Sequence, residues 1–388
     1  MNLRRLDAYF RRLVEEGLLP GAVVLVARGG EVVFQGVYGY LDPGRGLAMR
    51  EGALFRLCAM TKPWGSALAL SFVEEGTLSL LDPVEKYLPE FSGLRVGREV
   101  GEGIVYEPLK RPLTVYDLLR HTAGLTYGVF FRSPVKGLYL EAGVDRFDLS
   151  REVFLERLAA LPLRFQPGET FEYGLATDLL GHLLEALAGR SLAELLEERL
   201  FRPLGMKDSG FQAKDPARLA QPFPKDPETG HSLRLLPVET PPPRYAGGMG
   251  GVGTAADYLA FLEALRLGRG ALSPTMAGFM VQDHLGSLYP EALKRGPEYL
   301  PGPGYSFGLG VAVRVEPMGY SPGALGEWTW AGFGGTFFFV DPLQEITALY
   351  LAQAPNLLSV LEPEKALHSR LGARLQHAFR TLVYLGLE

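Results

Sequence analysis

Lys62 stands three residues after Ala59 in the run Phe55-Arg56-Leu57-Cys58-Ala59-Met60-Thr61-Lys62-Pro63, where loop gives way to an apolar segment that closes at Gly76. Side chains three apart on a helix share a face, so residue 59 and the Lys62 amine point together into any cleft at the start of that helix. In the S-x-x-K motif a lysine so placed helps to strip the proton from a serine, and the positive end of the helix favours the negative charge that develops. Here the nucleophile position holds alanine, which has no atom to acylate. Pro63 is tolerated because backbone N–H groups in the first helical turn lack partners in any case.

Other reactive-looking patterns fail on context. Ser133-Pro134-Val135-Lys136 is a literal S-x-x-K, and serine followed by proline can start a helix. Gly137 follows at once, however, and no buried apolar helix is expected there. Gly248-x-Gly250-x-x-Gly253 has the spacing of a dinucleotide-binding turn, but it follows a proline-rich loop instead of a strand, and Thr254 and Asp257 just beyond it read as a helix cap. The six histidines, His121, His182, His231, His284, His368 and His377, show no metal-binding spacing. Asp178 and His182, four apart on an expected helix, read as a surface or capping pair, and neither a metal nor another cofactor is expected. Cys58, the only cysteine, rules out an intramolecular disulfide and a cysteine zinc cluster. Consecutive side chains at a helix start diverge by roughly 100°, so Cys58 is expected to stay a buried, inert thiol and not to fill the place that Ala59 leaves empty.

Beyond the nucleophile segment come Leu81-Asp82-Pro83-Val84, Leu118-Leu119-Arg120-His121-Thr122-Ala123-Gly124-Leu125, Phe171-Glu172-Tyr173-Gly174, Phe201-Arg202-Pro203-Leu204-Gly205-Met206, and Ala246-Gly247-Gly248 running into Thr254-Ala255-Ala256-Asp257. In content and order these phrases resemble the serine β-lactamase/penicillin-binding-protein superfamily, closest to its family VIII carboxylesterases. The resemblance spans nearly the whole chain. It implies an α/β (α+β) fold of the serine β-lactamase type, an antiparallel sheet flanked by helices with an inserted, mainly helical domain.

The resemblance also assigns roles. Tyr173 takes the place of the tyrosine in a Y-x-N element, a proton relay beside the nucleophile, and Leu175 stands where an asparagine would contact a substrate amide. Trp330-Ala331-Gly332 resembles the W-G-G form of the K-T-G element, with a bulky aromatic replacing the cation that binds a substrate carboxylate. By the same carry-over the backbone N–H groups of residues 59 and 333 are the oxyanion donors, which brings Phe333 and Gly332 into the site. The implied reaction is acylation of a serine at 59 by a short- or medium-chain ester, with Lys62 and Tyr173 moving protons and water releasing the acid. With Ala59 the chain is expected to be nearly inert, since loss of a serine hydrolase's nucleophile costs on the order of 10⁶ in turnover. A deliberate Ser→Ala replacement and a natural pseudoenzyme that binds a small ligand both account for the alanine. Intact Lys62, Tyr173 and Trp330 to Gly332 favour the replacement, because drift would erode them too. The alternatives of the same fold are a D-amino-acid amidase or peptidase and a β-lactamase. A lactamase or cell-wall peptidase would need export and would ordinarily keep both the asparagine and the basic third element.

The elements that must position these residues follow from pattern. Ala22 to Ala27 and Glu31 to Gly39 are β-rich runs joined by Gly29-Gly30, a hairpin signal. Ala59 to Glu75 is apolar on nearly every face, as a buried core helix is. Short helices are expected at Thr114 to His121, Arg151 to Leu161, Thr177 to Leu187 and Leu192 to Leu200. Strands return at Tyr305 to Val315, Gly335 to Val340 and Ile346 to Gln353, before a last helix from about Glu364 to Leu385. Strands at both ends with helices between predict a sheet domain built from 1–80 and 245–388, an inserted helical domain over 81–244, and a cleft between them.

Composition narrows the partner. A net charge of -5 over 388 residues, with scattered basic side chains, lacks the footprint of a nucleic-acid binder. The expected partner is a small-molecule ester or amide. No apolar run approaches the ~20 residues of a membrane span. The opening segment interleaves Leu3, Leu6, Phe10, Leu13 and Val14 with charged residues, as an amphipathic surface helix does and a signal peptide does not, so a cytoplasmic location is expected. Only two asparagines and thirty arginines against nine lysines point to a thermophilic source.

Overall fold

The computed structural model describes residues 2–290 and 301–388. Eight strands form one antiparallel sheet in the order Leu47–Ala48, Glu31–Asp42, Gly21–Arg28, Ile346–Ala352, Thr336–Asp341, Trp328–Gly332, Ala312–Arg314, Tyr305–Phe307. The expected hairpin turns at Gly29 and Gly30, whose φ angles of 59° and 86° lie in the region that glycine enters without steric cost. Ala22 through Arg28 then pair with Ala352 through Ile346, so both ends of the chain contribute to one sheet.

Side chains alternate across these strands, and both faces are covered. Val23, Leu25, Phe338 and Leu349 join a core shared with the buried helix Lys62–Glu74 and the helix Ala176–Ala188. Val24, Phe337, Phe339 and Tyr350 pack instead beneath the terminal helices Arg4–Glu15 and Ala373–Gly386. There the rings of Phe10, Tyr350 and Phe379 meet with centroids 5.1 to 6.1 Å apart. Arg380 is fully buried, its Nε 2.9 Å from Glu327 Oε1 and its Nη2 3.1 Å from Thr329 Oγ1. This pair pins the last helix to the strand Trp328–Gly332. Removing one partner of such a pair, and leaving the other buried alone, costs roughly 3–5 kcal/mol.

Several local expectations change. The segment after Leu57 opens as a tight 3₁₀ turn, Cys58–Thr61, before the α-helix proper begins at Lys62. A helix does follow Ser133: it spans Pro134–Ala142, with the Ser133 side chain accepting the Lys136 N–H as a cap. Gly137 inside it costs about 1 kcal/mol, which the burial of Val135 and Tyr139 outweighs. The strand expected from Tyr305 to Val315 is two short strands, and the last helix starts at Ala373, after a 3₁₀ segment Pro363–His368 and a left-handed Gly372. A hairpin of Arg95–Val100 and Gly103–Pro108 lies in the stretch whose pattern predicts only helices and loops. Among the described residues no helix is long and apolar enough to cross a membrane, and no three His, Cys, Asp or Glu side chains converge as metal ligands would.

Candidate active site

The turn that carries position 59 is held from every side. Cys58 has φ 48°, a conformation L side chains rarely adopt and one that costs on the order of 1–3 kcal/mol unless its surroundings impose it. They do. Thr61 Oγ1 donates to Cys58 O (2.7 Å) and accepts from Gly251 N (2.8 Å), while Leu57 N donates to Gly251 O (2.9 Å). Tyr258 donates to Met60 O (2.7 Å) and Thr336 to Leu57 O (3.2 Å). Ala59 fronts a cavity of about 420 Å³, lined also by Tyr127, Phe130, Tyr173, Trp330 and Phe333. Cys58 reaches its edge, but burial raises the thiol's pKa, against what a thiolate nucleophile needs.

Lys62 is fully buried and does not line the cavity itself. Its ammonium donates to the Tyr127 hydroxyl (2.8 Å) and to Gly248 O (2.9 Å), and lies 4.6 Å from the centre of the Tyr173 ring. The amine thus sits directly behind two tyrosines that do line the cavity. Burial pulls its pKa down to about 8, with the negative charge of Asp178 opposing. Burial likewise holds Tyr173 well above the usual tyrosine range, with the neighbouring Tyr127 hydroxyl acting the other way. Tyr127 was not marked by its sequence pattern. It lies in a loop two residues past the Leu118 to Leu125 phrase, and that adjacency is the signal that could have found it.

The third element reaches the site by close backbone approach. A Cβ on Gly332 would lie 2.3 Å from Leu57 O, so only glycine lets this strand run beside the nucleophile turn. Trp330 packs against Tyr173 with ring centroids 5.2 Å apart, and Phe333 is partly exposed at the rim. Leu175 does not line the cavity. It is fully buried at the N-terminal cap of the helix Ala176–Ala188, because Gly174 presses flat against the Leu125–Thr126 backbone and the next side chain turns into the core. The glycines 248 to 253 prove to be packing positions around the nucleophile turn: a Cβ on Gly251 would stand 2.7 Å from Thr61 Oγ1. Lys136 of the second S-x-x-K is buried 3.7 Å from Glu172 and donates to Tyr127 O, away from the cavity.

Asp178 and His182 are not a surface or capping pair. Both are fully buried, and Arg244 Nη1 lies 3.2 Å from Asp178 Oδ1 and 3.3 Å from His182 Nε2. Asp178 Oδ2 has no hydrogen-bond partner and faces Lys62 across Gly248, where a Cβ would stand 2.4 Å from that oxygen and 3.4 Å from Lys62 Nζ. Asp178 therefore acts on Lys62 by its field, and the other titratable groups around the amine are Tyr127, Tyr173, Cys58 and His121, the last held neutral by burial. A neutral amine accepts a proton, so kcat/KM of an Ala59→Ser protein on an uncharged ester is expected to rise with pH through about 8. Asp178→Asn removes charge that favours the ammonium, and the inflection should move to lower pH. An inflection that stays in place would show that Asp178 does not tune the lysine.

The profile of the family described as Beta-lactamase matches residues 6–368 of this chain. Esterase EstB of Burkholderia gladioli is 35% identical over 368 residues, covering 89% of this chain and 89% of its own. Protein Rv1367c of Mycobacterium tuberculosis is 34% identical over 375 residues, covering 93% and 92%. Among solved structures, EstCE1, described as a hydrolase with promiscuous acyltransferase activity, superposes with a TM-score of 0.79 at 29% identity and covers 98% of both chains.

Proposed function

The chain belongs to the β-lactamase family, and from that premise we propose that it is built as a serine carboxylesterase for uncharged short- or medium-chain acyl esters, inert or nearly so because alanine holds the nucleophile position. The observation that carries this reading is the Lys62 amine, excluded from water and bonded to Tyr127 against the Tyr173 ring, at the wall of an apolar cavity that opens on residue 59. With a serine there, its hydroxyl proton passes to the Lys62 and tyrosine group as oxygen attacks the ester carbonyl, the alcohol leaves with a proton from the same group, and water then releases the acid. The backbone N–H groups of residues 59 and 333 receive the developing oxyanion. The cleft lies between the sheet unit, 1–80 with 245–388, and the helical unit, 81–244. EstB and EstCE1, an esterase and a hydrolase, support the assignment. The location proposed is the cytoplasm, and the partner a small molecule. The test is hydrolysis of nitrophenyl butyrate by the Ala59→Ser protein.

Trp330 stands where a carboxylate-binding cation would be, so a penicillin carboxylate placed against it lacks a charge-assisted partner worth about 1–3 kcal/mol. That corresponds to roughly one to two decades in rate. The Ala59→Ser protein is accordingly expected to prefer butyrate esters over penicillins at least about tenfold in kcat/KM. Equal efficiency on both would return the site to lactamase chemistry.

A further inference from the structure

The cavity does not end at the groups named above. Its lining continues past the turn 332–335 to Phe337, Tyr350, Leu19, Leu375, Ala366 and Leu367. Trp330 belongs to the core on one face of the sheet, whereas Phe337, Tyr350, Leu19 and Leu375 belong to the core on the other. A single cavity therefore passes round the end of the sheet, between the turn 332–335 and the segment 354–376. The sheet can end there because Gly335, at φ 107°, lets the turn close on Ala354, whose N would lie 2.8 Å from a Cβ at that position.

The two arms differ in chemistry. The first, beside Tyr127 and Phe130, has Asp145 in its wall, while Arg234, the one basic side chain in the described lining, follows the loop whose Glu228 bonds Ser369 and Arg370 N. Among the described residues the segment 354–376 brings no charged side chain to the lining; its polar ones are Asn356, Ser359 and Gln376, and the Asn356 Oδ1 is without a hydrogen-bond partner. A mainly apolar space whose 354–376 wall carries no charge, continuous with position 59, fits an alkyl chain better than a charged group.

We infer that the second arm holds the alkyl chain of a medium-chain ester whose carbonyl lies at residue 59. This rests on the esterase reading of the same site and adds to it the length and course of the acyl group. Each methylene taken from water into an apolar wall strengthens binding roughly threefold to fourfold. Over the six methylenes between a butyrate and a decanoate the gain is expected to reach at least about a hundredfold, leaving room for incomplete burial.

The chain as it stands, with Ala59, suits the experiment, because it binds an ester without consuming it. Calorimetric titration with methyl butanoate and methyl decanoate should give the decanoate at least about a hundredfold lower Kd. Ala366→Trp and Ala373→Trp, both half-buried positions in the wall of this arm, should each weaken the decanoate at least about tenfold by filling it while leaving the butanoate unchanged. Two separate positions keep the test open if one variant does not fold. Kd values that ignore chain length, or variants that weaken both esters alike, would overturn the inference. The outcome is independent of the catalytic reading: an Ala59→Ser protein that hydrolyses butyrate, with no chain-length dependence in binding, would keep the esterase and discard the arm. Chain-length-dependent binding lost on filling, with no hydrolysis after Ala59→Ser, would keep the arm as a ligand pocket and discard the esterase.

Discussion

Ala59→Ser is expected to raise hydrolysis of nitrophenyl butyrate by at least about four orders of magnitude, toward the ~10⁶ that separates a serine hydrolase from its nucleophile-less form. The gain is expected to be large because the remaining parts of the site are already in place. Lys62 is desolvated and bonded, the strained Cys58 turn that presents position 59 is held by five hydrogen bonds that involve Thr61, Gly251, Tyr258 and Thr336, one of them donated by Leu57 N to Gly251 O, and Gly332 lets the third element run alongside. Little new strain is expected, since residue 59 borders open cavity and a hydroxyl adds one atom on that side. Burst kinetics with a stoichiometric release of nitrophenol would identify the acyl-enzyme. A folded variant whose rate stays at the Ala59 background would end the assignment of position 59.

In that Ala59→Ser background, Lys62→Ala should abolish nearly all of the gained rate, a loss of roughly 10³-fold or more, because it removes the group proposed as the base. The structure divides the hydroxyl's share between two tyrosines: Tyr127 bonds the amine directly, while Tyr173 presents its ring to the amine and its oxygen toward Trp330 and Tyr127. Tyr173→Phe keeps the ring and loses the relay, and Tyr127→Phe keeps the packing and loses the amine's partner. Each should cost roughly 10²-fold or more. Either combined with Lys62→Ala should cost little beyond the lysine change alone, since groups that act as one unit do not contribute separately. Measured kcat/KM values for the three single and two double variants decide this. Full activity in Tyr173→Phe, with activity lost in Tyr127→Phe, would move the relay to Tyr127.

Local spacing alone determined a good deal of this protein. A Gly-Gly pair between two β-rich runs specifies a hairpin, and a segment apolar on every face can only be a buried helix. A lysine three after position 59 is expected on the same face, and here the 3₁₀ turn before the helix leaves Ala59 on the cavity and Lys62 buried behind its wall. These are properties of neighbouring residues, so they survive without knowledge of the rest. Tyr173, Trp330 and Gly332 were implied as neighbours of position 59 by the family resemblance that the order of short phrases carries, and all three line the cavity on which Ala59 opens.

What only the tertiary structure decided lies in contacts made far along the chain. Lys62 meets a tyrosine 65 residues away and a carbonyl 186 residues away, and neither partner sits in a periodic pattern that would announce it. Asp178 and His182 carry the surface look of any helix with polar residues four apart. Burial by Arg244 and the Phe154 ring, 3.8 Å from the guanidinium, makes them a charged core. Leu175 could have faced either substrate or core, and the flat approach of Gly174 to a separate loop turned it inward. The second arm of the cavity needs both faces of the sheet, the end of the strand Ile346–Ala352 and the start of the last helix together. A void has no residue of its own, so no stretch of sequence encodes it; it exists only where distant surfaces fail to meet.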